Sequence, residues 1–184
     1  MKRLMFILLA SISITAYGQK LVVTPNGLRN ADDNEKNFIV LNLPEMTAQQ
    51  LYEKTIKYIN KNYKNPEEVI KGKTENEYLK FETYNPSLLF IKNGGLKQFF
   101  SAQYTTELSF KDGKIKYEII ELKMNHTQNN MTLYLTGGGL DWAIYNKKGE
   151  LKREQAKIDI ETYFNGQITD FINFLNGKTE ENNW

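Results

Sequence analysis

Two glutamates, Glu107 and Glu118, are the residues whose spacing could do chemistry, because the turn Lys111-Asp112-Gly113-Lys114 brings them opposite each other. With Asp112-Gly113 as a two-residue loop, read as type I′, Phe110 faces Ile115, Leu108 faces Tyr117 and Thr106 faces Ile119. That face is apolar. The other face then pairs Ser109 with Lys116 and Glu107 with Glu118, whereas a three-residue loop would mix apolar and charged side chains on both faces, which sheets with one buried side avoid. Facing carboxylates can raise one pKa for general acid work or hold a cation. The competing reading, adopted here, is that Lys116 and other lysines of that face screen the pair in salt bridges of small net value.

Other chemistry is sparse. His126 is the single histidine and there is no cysteine, so one chain can build neither a His/Cys metal cluster nor a cysteine–histidine nucleophile pair; His126 reads as a loop residue. Asp32, Asp33 and Glu35 lack the glycine and closing glutamate of a calcium loop. Thr136-Gly137-Gly138-Gly139 lacks the Lys-Ser/Thr that a phosphate loop requires. Asn125-His126-Thr127 and Asn130-Met131-Thr132 match the glycosylation sequon, which matters only where the host has the machinery. No cofactor is implied.

The chain opens Met1-Lys2-Arg3, runs apolar from 4 to 14 and reaches Ala16-Tyr17-Gly18 before Gln19. This is the pattern of a secretory signal peptide over 1–18, cleaved near Gly18-Gln19. Its apolar run is shorter than the roughly 20 residues of a spanning helix, and no later stretch is longer. Without cysteine, neither a lipoprotein anchor nor a disulfide framework is available. Losing Lys2 and Arg3 with the leader takes the basic residues from 24 to 22, equal to the 22 acidic residues. A neutral mature chain, exported to the periplasm or beyond, makes no electrostatic case for nucleic acid.

The elements that must position the glutamates follow in order. Residues 19–37, with Pro25, Gly27 and a polar run, read as an extended lead-in, and 38–43 as a first strand ended by Pro44. Thr47 then caps a helix, with Gln50 completing a capping box and Met46 able to staple onto Leu51; Tyr52, Ile56, Ile59 and Tyr63 recur at helical spacing until Asn65-Pro66. Residues 68–74 and 78–84 read as a strand pair. Residues 85–103, interrupted by Asn93-Gly94-Gly95, read as an inserted excursion or a small hairpin of its own before the central hairpin of 104–124.

Past its turn the hairpin changes character, since Ile120, Leu122 and Met124 place apolar side chains on the face that was polar. That distal half requires a cover, from either 85–103 or the segment 131–145 around Trp142. A last helix over 158–176 shows a wide apolar stripe from Ile160 to Leu175. Gly177 stands at its C′ position, and Gly166 inside it marks a bend or a close contact. Residues 178–184 are expected to fray.

The expected fold is α+β: an antiparallel sheet with two helices on one face, in the order β-α-β-β-β-β-α, with insertions at about 85–103 and 125–157 and one domain over 38–177. Leu51-Tyr52-Glu53-Lys54, Tyr58-Ile59, the run Asn62-Tyr63-Lys64-Asn65-Pro66-Glu67-Glu68-Val69-Ile70 and Phe110-Lys111-Asp112-Gly113-Lys114-Ile115-Lys116-Tyr117 carry a resemblance. On these residues the chain resembles a domain-of-unknown-function family of secreted bacterial proteins with a TATA-binding-protein-like (TBP-like) fold. The resemblance implies a fold and an exported location, with no activity to carry over. DNA binding does not follow, because a duplex-binding sheet needs excess positive charge and apolar wedges where this one offers Glu107 and Glu118.

The functional expectation is a non-enzymatic binding module for a protein, glycan or small molecule. Its open sheet face carries Glu107, Ser109, Lys116, Glu118 and Ile120, with Trp142 nearby. One alternative is a small-molecule or lipid carrier with an apolar pocket under 131–145. The other is a carboxylate-dependent glycan or peptide hydrolase, which requires two acids across one cleft.

Overall fold

The computed structural model describes residues 19–129, 131–137 and 142–178. The leader expected at 1–18, the tail beyond 178, Asn130 of the second sequon and Gly138-Gly139 of the glycine run lie outside the described residues.

Among the described residues the sheet has seven strands, and its body is the antiparallel run of a short β4 (Ile70–Thr74) and the long β5 (Tyr78–Asn93), β6 (Leu96–Lys111) and β7 (Lys114–His126). The outer edge of β7 is shared. β3 (Phe38–Asn42) pairs antiparallel with its turn-proximal end, and β8 (Thr132–Gly137) pairs with Met124 and Asn125 at its distal end, with β9 (Trp142–Asn146) parallel beyond. The helices α1 (Ala48–Asn62) and α3 (Glu154–Leu175) lie on one face of this sheet, and α2 (Pro66–Val69) is a single turn before β4. Among the described residues, no helix is long and apolar enough to cross a membrane.

Aromatic rings join the two layers. Tyr52 packs edge-on against Phe110 at 5.6 Å and Tyr63 against Phe81 at 5.9 Å, while Phe164 and Phe171 of α3 meet Tyr104 and Tyr117. Such pairs add about 0.5–1.5 kcal/mol each beyond their burial. The α1 capping box forms as the sequence requires, with the Thr47 hydroxyl accepting from Gln50 N and the Gln50 side chain accepting from Thr47 N. At the other end of the chain, α3 closes in a Schellman motif: Lys178 N donates to Asn173 O, Gly177 N donates to Phe174 O, and Gly177 takes φ +69°.

The register of the central hairpin is the expected one, with Phe110 opposite Ile115, Leu108 opposite Tyr117 and Glu107 opposite Glu118. Its turn differs. Gly113 has φ +75° but Asp112 is not left-handed, which fits a type II turn and not type I′. Tertiary clamping supplies the reason: Gly113 N donates to Met46 O, Leu43 N donates to Gly113 O, and Asp112 Oδ1 accepts from Ala48 N at the start of α1.

Several other expectations are corrected. Residues 85–103 are no insertion but the outer halves of two 16-residue strands, turning at Gly94-Gly95, both left-handed. An irregularity between Asn85 and Leu89, at Pro86, breaks the alternation that would have shown this. Residues 66–69 are helical before β4 begins. The lead-in is a hairpin of β1 (Leu21–Thr24) and β2 (Gly27–Asn30) docked on α3, where the Asn165 amide both accepts from Leu21 N and donates to Leu21 O. Helix α3 starts four residues earlier than read, and a Cβ at Gly166 would meet nothing within 4 Å, so that glycine marks no close contact.

The distal half of the hairpin needs no separate cover. Thr105 pairs with Ile120 but Gln103 pairs with Lys123, so β7 carries one extra residue, and Glu121 there takes φ +55°. This bulge shifts the alternation by one. Met124 opposite Ala102 and His126 opposite Phe100 therefore return to the helix-side face and are buried, while Ile120 alone remains on the open face, half-buried.

Candidate functional site

The open face, opposite the two long helices, divides into an acidic middle and a basic end. In the middle, Glu107 Oε1 accepts from the Tyr78 hydroxyl at 2.8 Å and lies 3.6 Å from Lys80 Nζ. Burial, then the hydrogen bond to Glu107, pushes the Tyr78 phenol up to about 12. Glu118, expected in solvent, is only 8% exposed. It pairs with Lys116 Nζ at 2.8 Å and accepts from the Asn37 amide, which the chain places there because Phe38 is its partner in register. Each carboxylate thus has its own cation, as the screened reading expects. Among the described residues no group of three acidic, histidine or cysteine side chains could hold a metal.

At the basic end, Phe38 and Val40 floor a shallow depression of about 260 Å³ bounded by Ser109, Lys111, Lys114 and Lys116. Lys116 Nζ sits 4.6 Å over the Phe38 ring while it bridges to Glu118. Lys111 and Lys114 face each other across the turn and form no salt bridge with any described carboxylate. The face therefore ends in two uncompensated cations beside an apolar floor.

Of the residues read from sequence, Glu107, Ser109, Lys116, Glu118 and Ile120 share this face. Trp142 does not. Its ring lies 5.5 Å from that of Phe100, on the helix side, with the Arg153 guanidinium 4.7 Å over it. His126 is a core residue and not a loop one. Gln128 N donates to Nδ1, so Nε2 carries the proton and donates to Gln98 Oε1, and the ring stands edge-on to Phe100.

A second concavity lies between α1, α3 and β5. An inner cavity of about 10 Å³ is lined by Tyr58, Tyr63, Tyr104, Tyr117, Thr83 and Gln167 among others. Outside it, a cleft of about 520 Å³ shares Tyr58, Tyr63, Thr83 and Gln167 and adds Lys61, Asn62, Tyr84, Asp170 and Phe174. Tyr63 and Thr83 hydroxyls meet at 2.6 Å and those of Tyr104 and Tyr163 at 2.9 Å. Burial raises the pKa of Tyr58 to about 12 and pushes Tyr63, Tyr104 and Tyr117 up as well, so all four are neutral donors at ordinary pH. From sequence, Tyr63 falls on the apolar stripe of the first helix and Tyr117 on the core face of the hairpin, and Tyr58 and Tyr104 are not singled out. The available signal was tyrosine in place of phenylalanine at inward positions 63, 104, 117 and 163, since each brings a hydroxyl that must be satisfied inside.

The architecture defines an α+β protein, mostly sheet, with two long helices on one face. A crystal structure with which it shares this fold is that of a DUF4468 family protein from Bacteroides ovatus, at TM-score 0.51 and 14% identity over 78% of this chain and 88% of that one. The sequence matches no protein-family model and no curated relative.

Proposed function

We propose that this protein is an exported, non-enzymatic binding module that docks an acidic, partly apolar segment of another protein on the basic end of its open sheet face. The observation that supports the reading most is the pair Lys111 and Lys114, without carboxylate partners among the described residues, at the rim of the Phe38–Val40 floor. Buried cations are costly to leave unpaired, but surface ones at an apolar rim supply orientation and attraction to an anionic partner. Behind them Glu107 and Glu118, paired with Lys80 and Lys116, offer no cationic track for a phosphate backbone, which favours protein over nucleic acid.

Export rests on the leader pattern of residues 1–18. Gln19, the expected first residue after cleavage, accepts from Val40 N through its side chain at 2.7 Å, so a mature terminus would be tied to β3. The element order from β3 to α3 supports the TBP-like arrangement that the sequence resemblance implies.

The test is co-purification from the native host of the wild-type protein and a Lys111→Glu, Lys114→Glu double variant. A partner retained by the wild type and lost from the double variant is expected. Equal recovery with both proteins would end the open-face reading.

A further inference from the structure

We infer that the free end of the β5–β6 hairpin is a membrane-surface anchor, which seats Leu96 and Phe99 at the acyl boundary of an anionic phospholipid bilayer while Lys92 and Lys97 meet the lipid phosphates. Leu96 and Lys111 are the two ends of the 16-residue β6, roughly 50 Å apart at ~3.3 Å per residue. The inference therefore stands apart from the lysine depression.

The first observation is reach. The last pair that β7 makes with β6 is His126 with Phe100, followed by one hydrogen bond from Thr127 N to Phe99 O, and β4 leaves β5 at Phe81. From the pair Phe90–Phe99 to the pair Asn93–Leu96 the chain runs on as a two-stranded ribbon, with no strand beside it among the described residues. It ends about 13 Å past the last β7 pair in a turn at Gly94-Gly95.

The second is where the apolar side chains leave the ribbon. Phe90 and Phe99 lie together on the open face, ring centroids 6.0 Å apart, whereas Leu96, opposite Asn93, leaves from the other face. Leu96 is 68% exposed and Phe99 41%. A protein docked on the sheet covers one face of such a ribbon. Apolar groups on both faces of a projecting tip suit a medium that surrounds it, as a bilayer interface does, where binding grows with the apolar area buried and with attraction to anionic lipid.

The third is charge. Lys92 and Lys97 stand directly opposite each other, an arrangement that destabilises a strand pair, and neither forms a salt bridge with a described carboxylate. Lys97 Nζ lies instead 4.3 Å over the Phe90 ring. Lys152 and Arg153, at the start of α3, line a hollow with Lys92 and Phe90, and the acids there are Glu154 and Glu150, the partner of Lys152. Lys92 and Lys97 sit one pair behind Leu96, and their long stems let the ammonium groups stay at the phosphates while that leucine enters the acyl boundary. Each lysine near an anionic surface strengthens binding about fivefold.

The chain has no cysteine, so Leu96→Cys and, as a control in the turn after β9, Lys147→Cys each accept a single environment-sensitive fluorophore on protein purified from its own host. The labelled proteins are titrated with vesicles of phosphatidylcholine alone and of an equal mixture with phosphatidylglycerol. Vesicle flotation then gives partition constants for the wild type, Leu96→Asp and a Lys92→Gln, Lys97→Gln double variant. All share one N-terminus, so differences between them belong to the tip. The expected result is a blue shift at position 96 on mixed vesicles and none at 147, with partition weakened about tenfold or more by Leu96→Asp and about 25-fold by the double variant. Phosphatidylcholine alone should bind the wild type more weakly than the mixture does. No blue shift at 96, equal partition of the wild type and both variants, or equal partition onto both kinds of vesicle would overturn the inference. So would a blue shift that grows with protein concentration without vesicles, which would assign the tip to a second copy of the chain.

Discussion

Glu107 and Glu118 face each other in register, yet the chain gives them different surroundings: Tyr78 and Lys80 for one, Asn37 and Lys116 for the other. That separation explains why a pair visible in sequence makes no shared site. Tyr78 reports it. Tyr58 and Tyr78 are each pushed up to about 12 from an ordinary 10.0, both chiefly by burial. Phenols of the unfolded chain ionise first as pH rises, so the stability these two contribute is whole below pH 10.0 and is lost as pH climbs from there to about 12. Urea midpoints should fall across that window. Phenolate absorbance in Glu107→Gln should show Tyr78 titrating earlier than in the wild type but still late, because burial remains. At the turn, Asp112→Ala removes the carboxylate that accepts from Ala48 N at the positive end of α1, and should cost about 1 kcal/mol in urea unfolding.

At the scale of elements, the start of α1, the turn register and the C-terminal end of α3 were legible because local chemistry decides them. The Thr47–Gln50 box, the pairing of Leu108 with Tyr117 and the glycine at 177 all stand where pattern places them. What was not legible depends on single irregular residues. Glu121 is left-handed without being glycine, and nothing in its type announces a bulge, yet it decides which face Leu122, Met124 and His126 occupy. Deleting Glu121 should leave Tyr104 paired with Leu122 in a regular ladder, keep those side chains on the helix side and cost no more than about 1 kcal/mol, and Glu121→Gly should be neutral or stabilising by up to ~1 kcal/mol as the left-handed strain is relieved. Circular dichroism melts of the two variants would separate a required bulge from a tolerated one. In α3, open space around Gly166 predicts that Gly166→Ala stabilises by about 1 kcal/mol. The candidate site divides the same way. Residues of the open face share one strand pair and could be read from its alternation, but the Tyr58–Gln167 cleft joins helices and strands far apart in sequence, so only the fold assembles it.

For the whole molecule, two faces of one sheet carry two kinds of surface. The helix side is packed with aromatic rings around a cleft lined by Tyr58, Thr83 and Gln167 among others, and the open side ends in Lys111 and Lys114 beside Phe38 and Val40. The fold is shared with that of a bacterial DUF4468 family protein, and the proposed function rests on the open face. The most direct measurement places a photo-crosslinking amino acid at Ser109, on that face, and separately at Ile158, exposed on the outer side of α3, in protein expressed in its own host. The account predicts one discrete adduct from position 109, absent from position 158 and abolished by reversing Lys111 and Lys114 to glutamate. No adduct at 109, or the same adduct from both positions, would contradict it.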